Sequence, residues 1–228
     1  MKRILRALVA ASFLCVFMVA VTVVSYADAK DVPSTIKGYV GNYLDLETKY
    51  NVSIDEIEAP DIYDGDGCFL HKGSTKVYFS DDEGNTGKTT VYVSYDPSLR
   101  LVADRWQYSK SGKYYYLWLF NLSNKTVTIT NSTAYYAQKN TKKYNKKFKL
   151  TRSSVKIKPG QYKKLTFKRK SGKIHYMPNT KKASMKFKCK YKGKKYTVKL
   201  VHGSVNFYKL SGGKWKYIDF RGDYDHFF

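Results

Sequence analysis

Residues 182–201 read K-A-S-M-K-F-K-C-K-Y-K-G-K-K-Y-T-V-K-L-V, and their alternation decides the fold class. With period two, Met185, Phe187, Cys189 and Tyr191 fall on one side, and Lys186, Lys188, Lys190 and Lys192 on the other. Past Gly193 the alternation resumes, with Tyr196, Val198 and Leu200 set against Lys195, Thr197 and Lys199. A two-residue loop opening on glycine marks a type II′ turn, so the spacing predicts a hairpin closing at Gly193-Lys194. In that register Tyr191 faces Tyr196, Cys189 faces Val198 and Phe187 faces Leu200. A slip of one residue would bury lysines, so the two faces are firmly specified.

The same register sets Lys192 opposite Lys195 and Lys188 opposite Lys199. Like charges directly opposite on a sheet destabilise it. Two readings stay open: a solvated face with splayed, screened lysines, or a surface kept to hold a polyanion.

The chain of 228 residues carries 42 Lys and Arg against 18 Asp and Glu, a formal net charge of +24. With 43% hydrophobic and 16% aromatic residues it has material for one sizeable core or two small ones, and it is not a disordered composition. The charge is divided unevenly. Residues 28–100 hold fourteen acids and seven bases, net −7, whereas residues 101–228 hold four acids and thirty-two bases, net +28. Such a break predicts regions with different roles. The expected organisation is an acidic region over 28–100 with a weak helix and a β-hairpin, a basic β-sandwich over 101–203, and a C-terminal hairpin and tail over 204–228.

Lys2, Arg3 and Arg6 precede an uncharged run over residues 7–24, and Ser25-Tyr26-Ala27 offers small residues where signal peptidase needs them. A secretory signal peptide over residues 1–27, and hence a secreted or envelope-associated protein, is expected. The run is also just long enough to span a bilayer uncleaved, which leaves a membrane anchor open. In a secreted chain Cys68 and Cys189 form a candidate disulfide. Against the pairing, Cys189 falls on the inward side, where a free thiol serves as a small hydrophobe.

Ile36, Tyr39, Val40, Tyr43 and Leu44 have helical spacing and predict a short helix, weakened by Gly38 and Gly41. Residues 52–57 read as an edge strand, and residues 76–79 and 89–95 as a hairpin. The run 61–67, D-I-Y-D-G-D-G, has the composition of a calcium loop without its ligand spacing, and no metal is expected there. Residues 114–120, Y-Y-Y-L-W-L-F, are apolar on both faces and predict a central strand covered on both sides. Further strands over 126–130, 133–138, 148–157 and 161–168, with the lysine hairpin, approach the roughly seven of a sandwich. Its expected interior is Val127, Ile129, Leu165, Phe167, Phe187, Tyr191 and Val198. A last hairpin joins 205–208 to 215–220.

Residues 119–129 (L-F-N-L-S-N-K-T-V-T-I) and 155–167 (V-K-I-K-P-G-Q-Y-K-K-L-T-F) resemble the bacterial immunoglobulin-like and fibronectin-III-like modules of secreted proteins. In these a strand ends at an Asn/Ser turn, and a later one at a Pro-Gly turn before a core strand. The resemblance covers residues 106–201. It implies an all-β, antiparallel immunoglobulin-like sandwich in an extracellular setting, and no particular ligand.

His71, His175, His202 and His226 stand far apart, no G-x-S-x-G or H-E-x-x-H occurs, and acids are scarce beyond Asp104. Neither an enzyme nor a cofactor is expected. Binding remains. The leading expectation is a secreted or surface-attached module whose Lys186, Lys188, Lys190, Lys192, Lys195 and Lys199 bind an anionic polymer: wall teichoic acid, acidic lipid head groups or acidic glycans. The attraction would be multivalent and salt-sensitive. Intracellular nucleic acid is not an expected partner. The alternative is a structural or assembly protein whose acidic region docks on the basic sheet of the same or a neighbouring chain.

Overall fold

A computed structural model describes residues 29–130, 133–137, 146–171, 184–201 and 206–219. The segment read as a leader, the C-terminal tail 220–228, and His175, His202 and His226 lie outside these residues. The protein is all-β with predominantly antiparallel strands.

The acidic region forms β1 (Thr35–Tyr39), α1 (Leu46–Tyr50), β2 (Ser53–Ile57), β3 (Gly73–Ser80) and β4 (Thr86–Ser94). Its four-stranded sheet has the order β1-β4-β3-β2, with β1 parallel to β4 and the other pairs antiparallel. The expected helix over residues 36–44 is therefore strand at its start. Ile36 and Val40 are buried because β1 lies along β4, a partner more than fifty residues away. Gly38 leaves room for Phe69 over this strand, since a Cβ there would meet the Phe69 ring at 2.8 Å. The helix starts later, where Asp45 accepts a hydrogen bond from the Thr48 amide at 3.0 Å as its N-cap. Tyr63, Phe69 and Leu46 close over the inward valines Val77, Val91 and Val93. Asp64 is engaged in that loop, accepting from the Cys68 amide.

The basic region supplies β5 (Leu101–Tyr108), β6 (Tyr114–Asn121), β7 (Val127–Thr130), β8 (Thr133–Ala137), β9 (Lys146–Leu150), β10 (Ser154–Ile157) and β11 (Tyr162–Ser171). Then follow β12 (Ser184–Tyr191), β13 (Lys194–Val201), β14 (Asn206–Ser211) and β15 (Lys214–Asp219). They make one hydrogen-bonded sheet rather than two, running β15-β14-β13-β12-β8-β9-β11-β6-β5 with β7 and β10 off that path. β12 pairs with β8 at residues 184–186 and with β7 at Cys189 and Lys190. β8 continues to β9 while β7 continues to β10, so the sheet divides there and folds over one core. Phe167 of β11 meets Phe187 of β12 across that core, ring centroids 6.5 Å apart. All seven expected interior residues are buried, none more than 3% exposed. β5, which has no clean alternation, carries a register shift between Ala103 and Trp106.

The lysine hairpin closes one residue earlier than its sequence suggests. Lys192 and Gly193 form the loop with φ of 47° and 77°, both left-handed, as a type I′ turn requires. Tyr191 pairs with Lys194, Cys189 with Tyr196 and Phe187 with Val198. A glycine suits the first position of one primed turn and the second of the other, and the I′ turn has it second. The register moves by two residues, an even number, so the residues that remain in the two strands keep their expected faces, and Lys192 leaves its strand for the turn.

The two regions are fastened at one end of the large sheet. Arg100 donates from its guanidinium to the carbonyls of Val40 and Gly41 and to Asn42 Oδ1. Ser123 holds the Arg100 backbone, accepting from its amide and donating to its carbonyl. Buried Asn121 donates to the carbonyls of Lys125 and Ile157 and accepts from the Ser123 amide. Val102 and Leu122 of the basic region complete the acidic region's core. Cys68 and Cys189 are separate free thiols, half-buried beside Tyr43 in the first region and buried in the core of the large sheet, and the candidate disulfide is not formed.

Replacing Phe187 with Ala removes the ring that links the two halves of the sheet, and should cost about 3–5 kcal/mol in denaturant unfolding. A variant as stable as the parent would remove Phe187 from the core. Burial also pushes the Cys189 thiol from 9.0 up to about 12. A raised folded-state pKa gives stability that is whole below the unfolded value and lost as pH rises through the folded one. The denaturation midpoint should therefore fall between pH 9 and 12, and a Cys189→Ala variant should lose less of its own stability over that window.

Candidate functional site

Alternation along β12 and β13 sends five of the six expected lysines to one outer face. Lys186 stands opposite Lys199 and Lys190 opposite Lys195, with Lys188 between them opposite Thr197. The pairs differ from the sequence reading, in which Lys192 faced Lys195 and Lys188 faced Lys199, because the turn sits one residue earlier. Lys188, Lys190 and Lys195 are exposed. The face continues sideways, since Thr128 pairs with Lys190 and Lys156 of β10 pairs with Thr128. Lys156, Thr128, Lys190 and Lys195 thus form a row across four strands, about 14 Å long at the usual strand spacing.

Lys192 does not join them. It lies in the turn and donates from Nζ to the Pro97 carbonyl at 2.6 Å, while Tyr191 donates from its hydroxyl to the same carbonyl at 2.8 Å. Its place is structural: it pins the hairpin tip to the connection between the regions.

Lys186 and Lys199 are half-buried under Trp215 of β15, their ammonium groups 5.3 and 5.2 Å from its ring centroid. Burial holds both below the usual lysine pKa, and for Lys186 the neighbouring charge of Lys199 adds to the effect. An ammonium over an indole face keeps part of the stabilisation that water would give it. The sequence offered no sign of this contact, because Trp215 approaches from two strands away. The hydrogen bonds joining the acidic region to this hairpin run to its tip, at Tyr191 and Lys192.

A second outer face carries another combination of rings and lysines. Only one side of β6 is fully buried. Tyr115, Leu117 and Leu119 are buried in the core of the large sheet, while Tyr114, Tyr116 and Trp118 are half-buried on the other side. Phe120, next in that row, packs against the acidic region's core. The rings follow one another along the strand, Tyr114 to Tyr116 at 6.5 Å and 13° from parallel, Tyr116 to Trp118 at 6.1 Å. Lys164 of β11, paired with Trp118, sets its ammonium 4.3 Å from the Tyr116 centroid and 4.9 Å from that of Trp118. The signal lay in the alternation itself: tyrosine and tryptophan at every second position on one side of β6, two leucines and a tyrosine on the other.

Among the described residues no group of three or more His, Cys, Asp or Glu is placed to hold a metal ion. The chain matches no protein-family model, and no curated protein matches it significantly.

Proposed function

We propose that the protein is a non-catalytic, exported binding module whose basic sheet face holds anionic polymers of an envelope or host surface. The observation that carries this reading is the outer face of β12 and β13, where Lys190 stands directly opposite Lys195 and Lys186 opposite Lys199. A fold does not gain from such pairs. Retaining them makes sense where a polyanion neutralises several at once and releases its counterions. Exposed Lys188, Lys190, Lys195 and Lys156 are the contact residues in this reading, with Lys186 and Lys199 contributing field from beneath Trp215. Lysine rather than arginine suits diffuse attraction to closely spaced charges over bidentate recognition of one group. The likeness to immunoglobulin-like modules of secreted proteins is kept as part of the proposal. Its two segments become β6–β7 and β10–β11, which pack on one core.

The test is a Lys190→Gln, Lys195→Gln double variant with polyphosphate as the probe. Affinity should fall, and the slope of log affinity against log salt should become shallower by about one unit for each phosphate no longer neutralised. Stability in denaturant should hold or rise by about 0.2–1 kcal/mol as the opposed charges go. Unchanged binding would remove the proposal. A loss of stability would favour a structural role for the lysines, in which they pair with acids of the same or a neighbouring chain.

A further inference from the structure

We infer that the outer face of β6 and β11 is a second binding site, for a polysaccharide whose sugar rings themselves bear acid groups. It lies on the opposite side of the core from the lysine hairpin, because β11 and β12 face each other through Phe167 and Phe187. The inference therefore stands apart from the reading of β12 and β13.

Three features of the face choose the ligand. The rings of Tyr114, Tyr116 and Trp118 form a stripe along one strand, 6.5 and 6.1 Å apart and with Trp118 tilted 60° from Tyr116, which suits an extended chain of repeating units that can turn from one ring to the next rather than a single small molecule. The C–H faces of a pyranose carry partial positive charge and pack on the negative face of an aromatic ring. Secondly, the neighbouring strand interleaves positive charge with the stripe. Lys164 pairs with Trp118 and Lys168 with Tyr114, and exposed Lys149 stands directly opposite Lys168 on β9.

The third feature is the short distance between the two kinds of group. The Lys164 ammonium is 4.3 and 4.9 Å from the centroids of two rings, so one ligand unit must present an apolar ring face and an anion almost together. A uronic acid or a sulfated sugar does so, with its acid group on the stacking ring. A polyol phosphate has the charge without the ring, and a lipid head group has no repeating ring to follow the stripe. In a nucleic acid strand a sugar separates the phosphate from the base that would stack.

The experiment uses the full chain with four probes: polygalacturonate, neutral dextran, polyphosphate and single-stranded oligo(dT). A Tyr116→Ala, Trp118→Ala double variant should bind polygalacturonate at least roughly tenfold more weakly, the size of loss seen when stacking residues are truncated. Its binding of polyphosphate should be unchanged, and dextran should bind neither protein. A Lys190→Gln, Lys195→Gln variant should keep the ring-dependent part of polygalacturonate binding, which separates failure here from failure at the hairpin. A Trp118→Phe variant keeps an aromatic face, so it should fold and bind within a few-fold of the parent while losing the fluorescence change that polygalacturonate causes. If the double variant unfolds, that loss of signal with binding retained still supports the site, and an unaltered signal overturns it. Polygalacturonate binding unaffected by the double variant, equal binding of dextran, or ring-dependent binding of oligo(dT) alone would each overturn the inference. So would a parent dimer that the double variant makes monomeric without loss of polygalacturonate binding, since the stripe would then be a contact between copies.

Discussion

Phe167 and Phe187 hold the large sheet folded over by meeting across its core. The strands that bear them are not neighbours in the sheet: β11 pairs with β6 and β9, β12 with β13, β7 and β8. Their contact is therefore what a folded-over sheet gains and a flat one would not. Tyr115 reaches both Phe148 and Phe167, so aromatic contacts continue from β6 through the core to β12. Once these rings are inside, the period of two leaves no choice for the residues between them. Lys186 and Lys188 must point outward because Phe187 points inward, and on β11 Lys164 and Lys168 turn outward beside Leu165 and Phe167. The two charged faces are thus consequences of one core.

That constraint creates an electrostatic burden. Directly opposed lysines recur on both faces, Lys190 with Lys195 and Lys149 with Lys168. The basic region holds too few acids to neutralise them. Aromatic rings relieve part of the burden: Trp215 against Lys186 and Lys199, Tyr116 and Trp118 beside Lys164, and Tyr114 beside Lys113. A ring face is a weaker partner than a carboxylate and leaves the ammonium's net charge unneutralised. The acidic region is fastened at one end of the large sheet through Arg100, Ser123 and the hairpin tip.

Alternation made the faces of β12 and β13 legible, because a lysine cannot be buried cheaply and every second residue is one. The turn was ambiguous for a local reason: Lys192-Gly193 and Gly193-Lys194 both satisfy a primed turn, and the backbone twist that separates them is not written in residue types. β1 was misread because Ile36 and Val40 fit one helical face as well as a strand and its bridging continuation, and its parallel partner β4 is distant in sequence. β6 was read as covered on both sides because tyrosine and tryptophan count as apolar, although each can lie half-exposed with a polar atom in water. The tie from Lys192 to Pro97 spans 95 residues and could not be seen at all. What local pattern fixes was visible, and what a distant partner fixes was not.

The most direct test of a lysine face kept for a ligand, and not needed by the fold, is the melting temperature of the whole protein in low salt, with and without polyphosphate. A ligand that binds only the folded state stabilises it by mass action. The account predicts a concentration-dependent rise in melting temperature, abolished near 1 M salt, where the screening length shrinks to about 3 Å. An unchanged or lowered melting temperature at saturating polyphosphate in low salt would contradict it.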